Sequence, residues 1–283
     1  QLLIENDLAE DLTAAYDATA NEWLKAFAEM DNGIGLQCAT RDETLYAMPY
    51  YNDAVYTSSF WIRKDWLDKF ALPVPKTMED VYNAAKKFVE EDPDGNSQKD
   101  TMGLGLWMNT SINQVEAVMT GFSAYPSMWV EGDGGKAVLS ATTANAKKAL
   151  EWLNRMYAEG LIPAEFATMT DAQVAAEIVN GKCGITTWPF WAAYWSLQNS
   201  KLADPAADWI SVYPTETGAD AKLPTAKKIG LYFAVRKGFE HPEIVFEMAN
   251  KFAEATLGPN KMEDTLKYIV GLDGGNYWQF AQV

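Results

Sequence analysis

Segments with helical period alternate with short β-rich runs along this chain, and that alternation confines it to an α/β class. Residues 8–30, 63–70, 77–91, 112–120, 143–158, 171–180, 190–197 and 242–255 read as helices. Residues 44–49, 55–62, 101–107, 184–187, 209–213 and 229–235 read as strands. Local signals mark several boundaries. Thr77-Met78-Glu79-Asp80 has the form of a capping box, in which the Thr hydroxyl accepts a backbone N–H and the carboxylate reaches back. Gly160 is placed to end a helix in the left-handed conformation, and Pro242 suits a first helical turn. Trp66 and Trp152 fall inside amphipathic helices and are assigned to packing.

A chain of 283 residues is long enough for two domains. No apolar run approaches the ~20 residues of a spanning helix. The first residues carry neither a basic region nor a small-residue cleavage site, as expected of a mature or trimmed chain. The formal net charge of −16, from 39 acidic and 23 basic residues, repels phosphate backbones and argues against nucleic acid as a partner. It also tilts the expected ligand toward neutral molecules. Cys38 and Cys183 are too far apart for a CxxC site; whether they pair stays open, with separate thiols favoured and Cys183 read as a small core residue. The one histidine, His241, leaves no basis for a His-rich metal site or a Ser-His-Asp arrangement, and reads as a capping or surface residue.

The aromatic content is high: 11 Trp, 13 Tyr and 12 Phe. Such rings suit flat apolar ligand faces with polar edges, as sugars present, although an aromatic core would need them too. The run Asp92-Pro93-Asp94-Gly95-Asn96-Ser97-Gln98-Lys99-Asp100 is a second signal. Oxygen-bearing side chains fall at loop positions 1, 3, 5 and 9, with the backbone carbonyl of Gln98 at position 7, an EF-hand-like half-circle of hard donors for Ca2+. Ser97 replaces the usual glycine and Gly103 the usual bidentate glutamate, and a β-like run follows in place of a helix. A structural cation is therefore expected, not a sensor.

The order of several landmarks resembles family 1 extracellular solute-binding proteins. These are Leu45–Tyr50, Phe60–Lys69, Leu72–Thr77, the Asp92–Asp100 loop with Thr101-Met102-Gly103-Leu104, Ala158–Phe166, Gly181–Ile185 and Tyr232–Gly238. The resemblance implies a two-lobed periplasmic-binding-protein fold, type II-like, with a hinge between the lobes and the ligand in the cleft. It implies an extracytoplasmic receptor for oligosaccharides or related solutes, serving the permease subunits of an ABC importer from the periplasm or the outer face of the membrane. A lipid anchor would tether it if the native N-terminus is that of a lipoprotein. The Ca2+ would brace a lobe away from the ligand through Asp92, Asp94, Asn96, Gln98 and Asp100. Lobe one is expected over 1–107 with 230–257, carrying the calcium loop, and lobe two over 108–229. Residues 258–283 read as a shortened C-terminal part, since family members carry a further β-α-β unit at their start and more chain at their end.

On this reading the solute is held by aromatic residues in loops after strands: Tyr50, Tyr51 and Trp61; Trp107; and Trp188, Trp191 and Trp195. Asp53, Arg63, Asn109 and Glu131 are the polar partners expected for hydroxyl groups. No carboxylate pair stands out as a glycosidase motif, so an enzyme acting on polysaccharide is the alternative and not the main reading. A calcium-stabilised binding module without a transport role is the other.

Overall fold

The computed structural model describes residues 1–51, 58–108, 115–224 and 229–259. Backbone contacts divide the chain into two compact units, Gln1–Val55 with Ala226–Val283, and Tyr56–Thr225.

In the first unit, helices Thr13–Thr19, Glu22–Glu29 and Ile244–Leu257 pack around Leu12, Leu24, Phe27, Phe246 and Ala253. Strand Met48–Tyr51 pairs antiparallel with Ile229–Phe233, with a bulge between Tyr50 and Tyr51. The one helix expected over 8–30 is two. Ala20 is extended, and the Asn21 side chain caps the second helix by accepting from Leu24 N at 2.9 Å. The break is held from a distant segment: Asn250 accepts from Asn21 N (2.9 Å) and donates to the Thr19 carbonyl (2.7 Å).

In the second unit, Ser59–Arg63 is the central strand of a three-stranded sheet, antiparallel to Ile185–Trp188 on one side and Trp209–Val212 on the other. The helices Met78–Glu90 and Ala144–Ala158 bury Val81, Phe88, Ala146, Trp152 and Met156 in one core with Phe60 and Ile62. Trp152 Nε1 donates to the Met78 carbonyl at 3.2 Å, so the assignment of Trp152 to packing holds, as does that of Trp66. The capping box forms: Thr77 Oγ1 accepts from Asp80 N, and Asp80 accepts from Thr77 N. Gly160 is left-handed with φ 71°. Helix 190–197 is instead a short 3-10 turn, Phe190–Tyr194, and a separate helix, Ser196–Ala203, because the backbone turns sharply at Trp195.

These packings also move the division of the chain. Lobe one was expected to run through residue 107, but Ser59–Arg63 and Met78–Glu90 share their sheet and core with Ile185–Trp188 and Ala144–Ala158. The 92–100 loop consequently belongs to the second unit.

Gly184 shows how tightly that unit is built. A Cβ there would lie 2.4 Å from Phe88 and 2.7 Å from Trp66. Both cysteines are free thiols; Cys183 is fully enclosed, and burial pushes its thiol up to about 12, so it behaves as an inert core residue. His241 is exposed beside Glu243, as a surface histidine should be.

Candidate functional site

Residues 101–107 form no regular strand, yet they run parallel to Ile185–Trp188. Met102 N donates to the Lys182 carbonyl (2.7 Å), Gly184 N to the Met102 carbonyl (3.2 Å) and Gly105 N to the Ile185 carbonyl (2.8 Å). Thr186 Oγ1 adds a bond to the Gly105 carbonyl at 3.0 Å. Two parallel segments therefore finish at the same end, each in a tryptophan. The Trp107 and Trp188 rings lie 4.1 Å apart between centroids at 45°. Ligands in open α/β sheets bind outside the carboxyl ends of parallel strands, so this end is the candidate site of the second unit.

Other groups gather here. Trp195 meets Trp188 edge to face at 5.2 Å, and Trp61 Nε1 donates to the Trp188 carbonyl at 2.9 Å. Ser59 pairs with Trp188 across the sheet, and its hydroxyl accepts from Ser211 Oγ at 2.9 Å. Glu116, in the first turn of helix Glu116–Gly121, accepts the backbone N–H of Ser58, the residue before that pairing. Burial raises its carboxyl above the ordinary value, with the Ser58 bond opposing. Neither Glu116 nor the two serines was expected from the sequence. A signal existed for the first, since Glu116 is the one charged residue between Asp100 and Glu131.

The remaining expected residues scatter. Trp107 and Trp188 are 4% and 3% exposed, so most of each ring is packing. Trp191 is half-buried against Phe190 in the 3-10 turn. Arg63 was expected to meet solute hydroxyls, and its position argues otherwise. It is 2% exposed, forms a forked pair with Asp65 (2.8 and 2.7 Å), reaches Asp204 at 3.0 Å and lies over the Trp66 ring. It is an internal ion-pair centre. Glu131 is exposed on a separate hairpin with Ala137–Leu139. Tyr50 belongs to the first unit, where it lines an apolar pocket of about 230 Å³ with Phe27, Met48, Phe233 and Phe252. The Tyr51 side chain, Asp53 and Asn109 lie outside the described residues.

The 92–100 loop wraps on its own carboxylates. Asp92 accepts from the backbone N–H groups of Gly95, Asn96 and Ser97 at 3.1, 3.2 and 2.8 Å. The Asn96 amide nitrogen donates to both Asp94 (2.7 Å) and Asp100 (3.1 Å), which brings three side chains to one point. Partial desolvation, and then the side-chain bond with Asp92, push the Asp94 carboxyl above its ordinary value. The donors fit a hard cation in kind, with the Asn96 amide turned over to offer its oxygen. Among the described residues, however, no group of three or more His, Cys, Asp or Glu side chains converges as a metal cluster.

Comparison with known proteins adds the family. The chain is 35% identical over 126 residues to Lipoprotein LipO of Bacillus subtilis (strain 168), covering 44% of this chain and 25% of that protein. It is 31% identical over 146 residues to the polygalacturonan/rhamnogalacturonan-binding protein YtcQ of the same organism, covering 52% and 29%. The ABC-transporter substrate-binding protein FusA of Streptococcus pneumoniae, solved in complex with kestose, superposes with TM-score 0.67 at 18% identity, covering 87% of this chain and 51% of that one. FusA has also been solved as an EF-hand mutant with fructo-nystose. At such identity the likeness shows the fold, the α/β fold of the periplasmic solute-binding proteins. The chain spans about half of the solved relative and less of the other two. Matched over residues 1–259 by the model for the bacterial extracellular solute-binding protein family, the chain belongs to that family.

Proposed function

We propose that the protein is the solute-capturing receptor of an ABC importer and that its solute is a neutral oligosaccharide. The observation that carries the choice of solute is the pair of half-buried rings Trp61 and Trp195, gathered beside Glu116 on the packed Trp107–Trp188 pair at the end of two parallel segments. Rings supply faces for sugar C–H groups, and fixed hydroxyl and carboxyl groups supply hydrogen bonds at the edges. FusA, a relative, is named for fructooligosaccharide and solved with kestose, which supports the same class. YtcQ is named for acidic polysaccharides, but a chain with a net charge of −16 disfavours polyanions at long range.

On this reading the protein binds and releases its solute unchanged and delivers it to membrane-embedded permease subunits. It works on the outer face of the membrane or in the periplasm, tethered by a lipid anchor as the name of LipO describes for that relative. Among the described residues no helix is long and apolar enough to cross a membrane. Ca2+ braces the second unit through Asp92, Asp94, Asn96, the Gln98 carbonyl and Asp100.

A thermal-shift screen with mono- and oligosaccharides tests the reading, run in calcium and then in chelator. A solute at ~100 times its dissociation constant adds ~2.7 kcal/mol, a shift of several degrees. The expected result is a shift with an oligosaccharide, no cleavage of it on prolonged incubation, and a lower melting point in chelator. Cleavage lost on replacing a single carboxylate would instead make the protein an enzyme.

A further inference from the structure

Two lysines from outside the 92–100 loop reach into it. Lys69 Nζ donates to the Pro93 carbonyl at 2.8 Å, and Lys182 Nζ pairs with Asp100 Oδ2 at 2.9 Å. They take different kinds of oxygen. Pro93 offers a carbonyl that is not among the proposed calcium donors, whereas Asp100 is one of those donors.

Lys182 is well fixed for its part. It follows the left-handed Gly181, its backbone N–H donates to the Glu177 carbonyl at 2.9 Å, and its own carbonyl accepts from Met102 N at 2.7 Å. The ammonium is thus delivered to Asp100 from a backbone position tied to both the preceding helix and the segment leaving the loop. The other Asp100 oxygen accepts from the Asn96 amide, which also donates to Asp94, so the Asp100 carboxylate is held between an ammonium and an amide.

The geometry points to Lys182 as an internal cation that competes with calcium for Asp100. It holds the carboxylate when calcium is scarce and gives it up when calcium binds. The inference rests on the calcium reading of the loop and adds to it a lysine, from a distant part of the chain, that sets the affinity. Two consequences follow. Lys182 weakens calcium binding, because the ion must displace an ammonium and then sit near it. Lys182 also keeps the loop folded without calcium, since it offsets charge that would drive the carboxylates apart. Both groups are partly exposed, 36% and 25% at the side chain, so water and salt moderate the effect.

Calcium titration calorimetry on the 283-residue chain tests this, with melting curves in excess chelator alongside. Lys182→Gln should bind calcium about three- to tenfold tighter than the unaltered protein and melt lower in chelator. Lys182→Arg, which keeps the charge, should behave like the unaltered protein, and Lys182→Met replaces Lys182→Gln if that variant fails to fold. In an Asp100→Asn background the same lysine substitution should change the affinity far less. Calcium binding by the unaltered protein, with affinity unchanged or weakened in Lys182→Gln, overturns the role given to Lys182 and leaves the calcium site standing. No calcium heat and no calcium-dependent melting shift in either protein removes the calcium site, and the competition with it.

Discussion

Trp107 and Trp188 are 81 positions apart in sequence and 4.1 Å apart between ring centroids, because the segments ending in them run parallel and finish together. The pair packs at the end of the sheet where the solute is proposed to bind. Removing a ring should therefore cost stability, and on the proposed reading solute binding as well. Trp188→Ala should cost on the order of 3–5 kcal/mol by denaturant melts, with the loss of a large buried ring dominating. Trp107→Phe keeps a ring and should cost about 1 kcal/mol, while weakening saccharide binding in calorimetry. Unchanged binding in Trp107→Phe would remove this ring from the site.

Gly184 lets the chain leave the loop region and enter Ile185–Trp188 against Phe88 and Trp66. Its backbone conformation is open to other residues, so the requirement is space alone. Gly184→Ala should cost about 1–3 kcal/mol through overpacking, since both neighbouring rings belong to a closed core and have little room to yield. Urea denaturation measures it, and a variant as stable as the parent would mean that Phe88 and Trp66 repack freely.

The Arg63 guanidinium sits inside the second unit with Asp65 and Asp204 as its anions. Asp65 supplies a forked pair and is the less exposed of the two. Asp65→Ala should destabilise on the order of 3 kcal/mol by leaving a buried charge short of its main partner, and Asp204→Ala clearly less. Equal small effects would mean that the arginine is rehydrated, and its exclusion from solute contact would then need revision.

Much of the local structure was legible because its causes are local. Thr77 and Asp80 are three residues apart, Gly160 follows its own helix, and the alternation of periods gave the α/β class. The misreadings came where the cause lies elsewhere in the chain. Asn21 is a local cap signal for the break after Ala20, but nothing near it announces that Asn250 holds it in place, and a pattern continuous through Trp195 conceals a turn in the backbone. Arg63 looked available because its second anion is 141 residues away. Residues 101–107 read as a strand from their apolar run and proved to be an irregular partner of Ile185–Trp188. For the site, aromatic type alone could not separate Trp61, which keeps part of its surface, from Trp188, which keeps almost none.

Glu116 offers the sharpest test of the site, because one substitution is expected to move stability and binding in opposite directions. Its folded-state carboxyl lies above the ordinary 4.5, first through burial. A raised carboxyl favours the folded state while protonated, so its contribution is fully present below the unfolded value and is lost as pH rises through the folded one. At pH 7 the half-buried carboxylate therefore works against folding. Glu116→Gln keeps the shape without the charge, so its melting point should exceed that of the parent at pH 7, with the gap closing toward pH 4. Saccharide affinity at pH 7 should fall instead, about tenfold, because an amide is a weaker acceptor for a sugar hydroxyl than a carboxylate. A variant that is stabilised at pH 7 and binds saccharide as well as the parent would keep the half-buried carboxyl but take it out of the site. One that gains no stability would mean that the carboxylate is satisfied by more than the Ser58 N–H.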